Sequence, residues 1–239
     1  GGSIRIPSAL TGAVGFKPTS GRVPTTGAFS LSSTLDTVGP IARSVADCAI
    51  TDAVLAGEAH APLAPRPQAR FVVARGRLFD AMESEVAEAF EAGLERLRRA
   101  GLNVEDGSLD PHLDALAALD KIGGFPSIEL GATLRDLGVD GLGEVDPKTR
   151  ARIELGAGIL GVDYVRMQRR RAAAVAAFEA AMTDDTVYLL PTTPIRAPLL
   201  ASVADDAGFH HANGLVLRNP RVGNLLDTPS LSLPLPVPA

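Results

Sequence analysis

The sequence predicts a protein of the α/β class, because a strand-like segment, a helix-like segment and a second strand-like segment follow one another along it. The apolar run from Arg70 to Ala74 has the length of a buried strand. An amphipathic segment that ends at Gly101 comes next, and Leu102 to Val104 form the following short run. This order is typical of a sheet with a right-handed crossover. A hydrophobic share of 46% in 239 residues is sufficient for a core.

Helices are predicted where apolar residues recur at steps of three and four. The amphipathic segment has such a stripe, formed by Val86, Phe90, Leu94 and Leu97. An earlier helix is predicted to begin after Ser44, with Asp47 as its capping partner, and to end at Gly57. A third is predicted from Val162 to Met182. On it, Arg169 to Arg171 point in three directions, so we interpret this run as a solvated face and not as a phosphate site.

The last part of the chain is predicted to contain two strands and a polar loop. Val187 to Leu190 is interpreted as a buried strand that delivers Pro191 to Pro194 to the edge of the sheet, where ligands bind in open α/β folds. Asp205 to Asn213 is polar and is predicted to be an exposed loop. Thr228 to Pro234 is predicted to be a strand interrupted by prolines.

Composition excludes several classes of partner. A net charge of −5 gives no basic footprint for nucleic acid or for an anionic membrane. The single cysteine, Cys48, excludes an internal disulfide and indicates a reducing compartment, by default the cytoplasm. We expect neither a secretory leader nor a membrane-spanning helix, since no apolar run approaches about 18 residues. No metal site is expected from the spacing of the histidines, which are His60, His112, His210 and His211.

Candidate chemistry lies at the start of the chain, where Gly1 and Gly2 precede Ser3. Glycines let the backbone turn tightly, and their unhindered N–H groups can converge on a developing negative charge. Ser3 is therefore the candidate nucleophile for acyl transfer, and the amides of Gly1, Gly2 and Ser3 are the candidate oxyanion donors. A cloning linker leaves the same tripeptide at an N-terminus, so the tripeptide alone does not decide the matter.

The residues that follow Ser3 favour the catalytic interpretation, because they resemble the serine-glycine-rich core of the amidase signature family over several consecutive motifs. The matching segments are Ser3-Ile4-Arg5-Ile6-Pro7-Ser8, Thr11 to Pro24, Ser33 to Asp47, Pro191-Thr192-Thr193-Pro194, and Asn224 to Pro234. The resemblance implies a mixed β-sheet flanked by helices on both faces, incomplete here. It also implies that residues 1–239 form a single domain that is the C-terminal portion of a longer chain.

The same resemblance implies an activity and a site. Family members cleave a carboxamide C–N bond through an acyl-serine intermediate, giving a carboxylate and ammonia or an amine, without metal or organic cofactor. Ser3 falls on the nucleophile, and Gly1, Gly2 and Ser3 fall on most of the oxyanion hole. The bridging serine and the lysine of the family's Ser-Ser-Lys triad lie upstream, so neither has a counterpart in a chain that starts at Gly1. Lys17 falls on a lysine that is not the catalytic one, and we do not expect it to act as the base.

Two alternatives stay open at this point. One is the A subunit of glutamyl-tRNA amidotransferase, although Thr26 to Leu31 resembles stand-alone amidases more closely. The other is a catalytically silent fragment, since the upstream lysine and serine are not among these residues. The expected partner is a small-molecule amide, and a homodimer is a possibility that rests on the family alone. The irregular stretch from Asp106 to Leu160 is expected either to shape the acyl pocket, as in the family, or to be a plain helical subdomain.

Overall fold

The computed structural model describes residues 2–64, 69–139 and 141–235. The α/β class is confirmed. The helices within these residues are α1 (Arg5–Thr11), α2 (Val45–Ala56), α3 (Ser84–Arg99), α4 (Asp110–Asp120), α5 (Phe125–Asp136), α6 (Pro147–Ala157), α7 (Gly161–Ala181) and α8 (Asp206–Leu225). The strands are β1 (Val14–Lys17), β2 (Ile41–Ala42), β3 (Arg70–Arg75), β4 (Asn103–Ser108), β5 (Thr186–Leu189) and β6 (Ser230–Ser232). Short 3-10 helices lie at Arg77–Phe79 and Leu200–Val203.

The described strands form two three-stranded sheets of different kinds. The first is antiparallel in the order β2-β1-β6, and in it Gly15 pairs with Ile41 on one side and with Ser232 on the other. The second is parallel in the order β4-β3-β5, and in it Val73 pairs with Asp106 and with Leu189. The strand–helix–strand prediction is confirmed by β3, α3 and β4, because β3 and β4 run parallel.

Helices cover both faces of the parallel sheet. Successive residues of a strand point to opposite faces, so Val73 and Ala74 of β3 show what packs on each. Val73 packs with Phe90 and Leu94 of α3 on one face. Ala74 points to the other face and belongs to the largest core cluster, which includes Met167 and other residues of α4, α7 and α8. Val73 and Met167 are completely buried. The parallel sheet is thus a conventional apolar scaffold.

Two of the predicted helices are confirmed together with their boundaries. The side chain of Ser44 accepts a hydrogen bond of 3.1 Å from the backbone N–H of Asp47, which caps α2. Gly57 ends this helix in the left-handed conformation, with φ at 71°, which glycine adopts without strain. The helix predicted from Val162 to Met182 is α7.

The structure also corrects the sequence interpretation. Asp205 to Asn213 is not a loop, because α8 begins at Asp206 and the side chain of Asp205 caps it by accepting a 2.7 Å bond from Gly208 N. Its polar residues are the exposed face of the first turns of this helix. The stretch from Asp106 to Leu160 contains three helices, α4, α5 and α6. None of the helices in the described ranges is long and apolar enough to cross a lipid bilayer.

Candidate active site

Ser3 lies in an exposed turn immediately before α1. The N–H of Ile6 donates a 2.8 Å hydrogen bond to the carbonyl of Gly2, which closes the turn that carries Ser3. At the other end of the helix, Gly12 is left-handed, with φ at 74°, and the chain returns as β1 beside α1. Ser3 is therefore held on a short helix that is backed by the antiparallel sheet.

Close packing around this turn depends on glycine. A Cβ atom on Gly2 would lie 2.5 Å from Cδ1 of Ile6 and 3.3 Å from Cβ of Pro220. A Cβ atom on Gly15 would lie 2.2 Å from Oγ of Ser8, the residue by which α1 contacts β1. Since real Cβ atoms do not approach other atoms this closely, α1 can pack on β1 as it does only because Gly15 carries no side chain, whereas a side chain at Gly2 would have to displace the end of Ile6.

Ser3 is on the wall of a small open pocket with a volume of about 50 Å³. One side of the pocket comes from the start of α1, and the opposite side comes from an irregular loop between β1 and β2. The lining residues are Gly2, Ser3, Ile4, Arg5, Lys17, Leu31, Leu35, Asp36, Thr37 and Asn224. The pocket therefore combines two hydroxyls, two cationic groups, a carboxyl, a carboxamide and three aliphatic side chains.

The two cationic residues of the pocket are buried. Arg5 is 6% exposed and its Nη2 atom donates to Oδ1 of Asn224 in α8. Its Nε atom has no hydrogen-bond partner within the described residues. Lys17 is 3% exposed and its Nζ atom donates to the carbonyl oxygens of Pro18 and Thr228, each at 3.0 Å. Two buried cationic groups thus line the same pocket as Ser3.

Burial changes the titration of both groups, because the charged form loses its hydration. It lowers the pKa of the Arg5 guanidinium to about 10, so this group stays charged near neutral pH. Burial also lowers the pKa of the Lys17 ammonium to about 8, and the nearby charge of Arg5 acts in the same direction. The carboxylate of Asp227 opposes these effects at Lys17.

A third cation, Arg171, reaches the same region from α7. Its Nη2 atom donates a 3.2 Å hydrogen bond to the carbonyl of Asn224 and lies 3.7 Å from Oδ1 of Asp227. The side chain of Arg171 is only 14% exposed. The interpretation of Arg169 to Arg171 as a solvated face is therefore wrong for Arg171, because its position on the inner stripe of α7 directs it to the last turn of α8.

The structure brings some of the sequence-predicted residues together and leaves others apart. Gly2 and Ser3 line one pocket, and Gly1 lies outside the described residues. Lys17, to which the resemblance assigns no catalytic role, lines the same pocket. Pro191 to Pro194 follow β5 and are not among the lining residues; there Thr192 Oγ1 lies 2.9 Å from Oγ of Ser232 in β6.

Asp36 and Asn224 lie in segments that resemble the family, but the sequence analysis gave neither residue a role at this site. Asn224 is 219 residues from its partner Arg5, so no local pattern connects them. Asp36 accepts hydrogen bonds within its own loop, and such a short-range contact leaves no periodic signal. Among the described residues, no group of three or more His, Cys, Asp or Glu side chains is arranged to hold a metal ion.

The chain belongs to the Amidase family, whose family model matches residues 1–237. It is 34% identical over 242 residues to 2-amino-5-chloromuconic acid deaminase of Comamonas testosteroni, an alignment that covers 98% of this chain and 51% of that protein. It is 31% identical over 280 residues to the A subunit of the glutamyl-tRNA(Gln) amidotransferase of Salinispora tropica, covering 98% of this chain and 56% of the relative. The chain therefore spans about half the length of these curated relatives.

A solved structure described as an amidase superimposes on the chain with a TM-score of 0.80 and 30% sequence identity. The superposition covers 97% of this chain and 53% of that structure. The recognition of the amidase signature in the sequence is thereby confirmed, and so is the α/β architecture that it implied.

Proposed function

We propose that the protein is an amidohydrolase that cleaves a carboxamide C–N bond with Ser3 as its nucleophile. The observation that carries the proposal is the position of Ser3, exposed in a turn at the start of α1 and on the wall of a pocket, in a chain of the Amidase family. Oγ of Ser3 attacks the amide carbon while a base takes its proton. The C–N bond then breaks, the amine leaves with a proton, and water hydrolyses the acyl-serine to a carboxylate.

The oxyanion of the tetrahedral intermediate is proposed to be stabilised by the backbone N–H groups of Gly1, Gly2 and Ser3. The charge of Arg5, which lines the same pocket, supports this role, because a cation near the donors favours a negative charge. A larger residue at Gly2 would meet the side chain of Ile6, whose end would have to move. We expect electrostatic stabilisation of this kind to be the largest contribution of these residues.

The proton of Ser3 is proposed to pass to a serine and a lysine from the sequence ahead of Gly1, as the family resemblance implies. The half-length coverage of the relatives is compatible with this. Lys17 is assigned a different role. Its Nζ atom is engaged with the carbonyls of Pro18 and Thr228, so it holds β1 to the turn before β6 and adds positive charge to the pocket.

The surplus of positive charge in the pocket favours a substrate that carries a carboxylate. Arg5 and Lys17 line the pocket, and Arg5 Nε has no partner within the described residues. The relative from Comamonas testosteroni is named for an amino-substituted dicarboxylic acid. We therefore propose that small amides that also carry a carboxylate belong in the first substrate panel.

The decisive experiment uses the complete gene product, with whatever sequence precedes Gly1 in it. Ser3→Ala is expected to lower kcat/KM for every amide that is turned over by at least about 10³-fold. The matched control is Ser33→Ala, since Ser33 is also exposed and lies in the loop facing the pocket but outside its lining. Wild-type turnover by Ser3→Ala would contradict the assignment.

A second candidate function is that of an amidotransferase A subunit, which the similarity to the relative from Salinispora tropica favours. In that case the same serine chemistry acts on glutamine and the ammonia is passed on to a partner. Co-purification with further subunits, together with glutaminase activity that depends on them, would support this alternative. Turnover of simple amides by the purified protein alone supports the hydrolase.

The assembly and the compartment are also matters of proposal. We propose a cytoplasmic protein, which the single buried cysteine, Cys48, supports. We propose a homodimer on the strength of the family resemblance alone, and light scattering on the purified protein tests it. The isolated 239 residues are expected to be catalytically silent or nearly so if the lysine and bridging serine lie elsewhere.

A further inference from the structure

We propose that Glu129 of α5 is a positioning residue that holds one wall of the Ser3 pocket and thereby sets which substrates the pocket accepts. The inference rests on the proposed function. It starts from the loop of residues 30–37, hereafter the pocket wall, which supplies Leu31, Leu35, Asp36 and Thr37 to the lining. The pocket wall contains no helix or strand, so its conformation depends on local hydrogen bonds and on tertiary contacts, such as the packing of Leu35 on the main core cluster.

The pocket wall is first organised from within. Oδ2 of Asp36 accepts hydrogen bonds from the backbone N–H groups of Leu31 and Ser32, at 2.8 and 2.9 Å. The N–H of Asp36 in turn donates to the carbonyl of Ser32 at 2.8 Å. These bonds make the wall a compact unit, but they do not fix its distance from Ser3.

Glu129 connects this unit to the helices. Oγ of Ser32 and the backbone N–H of Thr34 donate to Oε2 of Glu129, the latter at 3.2 Å, and Oγ1 of Thr34 donates to Oε1. Glu129 is 6% exposed and Ser32 is 1% exposed. The contact is thus a buried one between residues 95 and more positions apart in the sequence.

Tyr164 of α7 donates a further hydrogen bond to the same carboxylate. Its hydroxyl donates to Oε1 of Glu129 at 2.6 Å and receives a 3.2 Å bond from Nε2 of Gln168. Burial, and next the hydrogen bond to Glu129, raise the pKa of the Tyr164 hydroxyl, so it remains a donor at neutral pH. Its ring packs edge-on against Phe125, with the ring centroids 6.0 Å apart.

These contacts make the wall and the carboxylate depend on each other. The groups that donate to Glu129 are hydroxyls and a backbone N–H, so no donor among them brings a positive charge. A buried carboxylate is costly when its donors leave, because it has lost its hydration. If the wall moved away from α5, Glu129 would lose the donors of Ser32 and Thr34. These contacts therefore hold the wall against α5, and with it the positions of Leu31 and Leu35 in the pocket lining.

The test compares Glu129→Gln with Glu154→Gln, an exposed position on the neighbouring helix α6. The measured quantity is the ratio of kcat/KM for two amides with a small and a bulky acyl group. This ratio does not depend on the fraction of active enzyme in a preparation. We expect Glu129→Gln to change the ratio by about tenfold, mainly through KM, since a change of one methylene in a pocket has effects of this size. Glu154→Gln is expected to leave it unchanged.

A second readout needs no activity. Hydrogen exchange of the Leu31 and Ser32 amides is expected to become at least about fivefold faster in Glu129→Gln, because the wall loses its connection to α5. If Glu129→Gln fails to fold, Tyr164→Phe removes one donor instead, and Tyr188→Phe, at the chain's other tyrosine, is its control.

The outcomes separate this inference from the proposed function. Unchanged selectivity together with unchanged exchange in Glu129→Gln and Tyr164→Phe overturns the role of Glu129, whatever Ser3 does. Full activity in Ser3→Ala overturns the proposed function, and the exchange measurement then still decides whether Glu129 holds the wall.

Discussion

The two sheets of the molecule differ in whether the charged side chains beside them are buried or exposed. On the α3 face of the parallel sheet, the buried residues Val73 and Phe90 are apolar, and the cation Arg75 forms ion pairs at the surface. Around the antiparallel sheet, Arg5 and Lys17 are buried beside the pocket. The parallel half contributes stability by ordinary packing, whereas the pocket half keeps charges where they are costly to bury.

The difference indicates where electrostatic function is concentrated. Charges that are buried without a full set of partners lower stability, and proteins retain them mainly where a site needs them. In the pocket half, the charges of Arg5 and Lys17 line the same pocket as Ser3. The first consequence is that stability and activity should respond to substitution in different halves of the molecule.

The largest effect on stability is expected from the core of the parallel half. Phe90→Ala removes a buried ring that packs edge-on against Phe79, with the centroids 5.5 Å apart. We expect a loss of about 3 kcal/mol in the free energy of unfolding, measured by urea denaturation. The control Val54→Ala, at a position 71% exposed, is expected to cost less than about 0.5 kcal/mol. Equal losses at both positions would remove the distinction between this buried core position and an exposed apolar one.

An intermediate effect is expected from Lys17, and it depends on pH. Its folded-state pKa of about 8 lies below the ordinary 10.5, so between these values the unfolded chain holds a proton that the folded protein has lost. Stability conferred by this residue therefore rises with pH through this window, by about 2 kcal/mol or more.

Lys17→Met is expected to abolish this rise, whatever its effect on stability at neutral pH. The check is urea denaturation of both proteins at several values between about pH 7.5 and 10. Lys121→Met, at an exposed position, should keep the rise. If the unfolding free energies of Lys17→Met and of the wild type depend on pH in the same way, the buried Lys17 is not the source of the rise.

The smallest effect is expected from the surface ion pairs of the parallel half. Arg75 contacts Glu91 and Asp106, but its side chain is 34% exposed. Arg75→Gln is expected to cost less than about 1 kcal/mol, and the cost should shrink further at high salt. Arg99→Gln, at a pair between residues that are 76% and 49% exposed, should cost still less. A large loss in the free energy of unfolding at Arg75→Gln that does not depend on salt would contradict the interpretation of these pairs as weak surface contacts.

The sequence predicted those parts of the fold that depend on local pattern. The β3–α3–β4 unit, the capped start of α2 and the length of α7 follow from spacing along the chain and from capping residues. It predicted neither α1, whose seven residues are too few for a periodic signal, nor the polar first turns of α8. Short or polar helices are stabilised by tertiary contacts that spacing does not reveal.

The candidate site was predicted only where the motif lies within a few residues. Gly2 and Ser3 were proposed from their neighbours in the sequence, whereas the bond from Lys17 to Thr228 spans 211 positions and has no local pattern. The position of Glu129 in the sequence gives one indication that its side chain is buried. It lies four residues after Phe125, on the inner face of α5, where the period of a helix places an apolar side chain. A carboxylate at such a position indicates buried hydrogen-bond donors elsewhere in the chain, without showing which ones.

The measurement that tests the central claim most directly is covalent trapping of the nucleophile. The complete gene product is treated with a fluorophosphonate probe, and the modified residue is located by peptide mass mapping. We expect one adduct, on Ser3, which is absent in Ser3→Ala and unchanged in Ser33→Ala. An adduct on a different residue that persists in Ser3→Ala would contradict the assignment of Ser3 as the acyl acceptor.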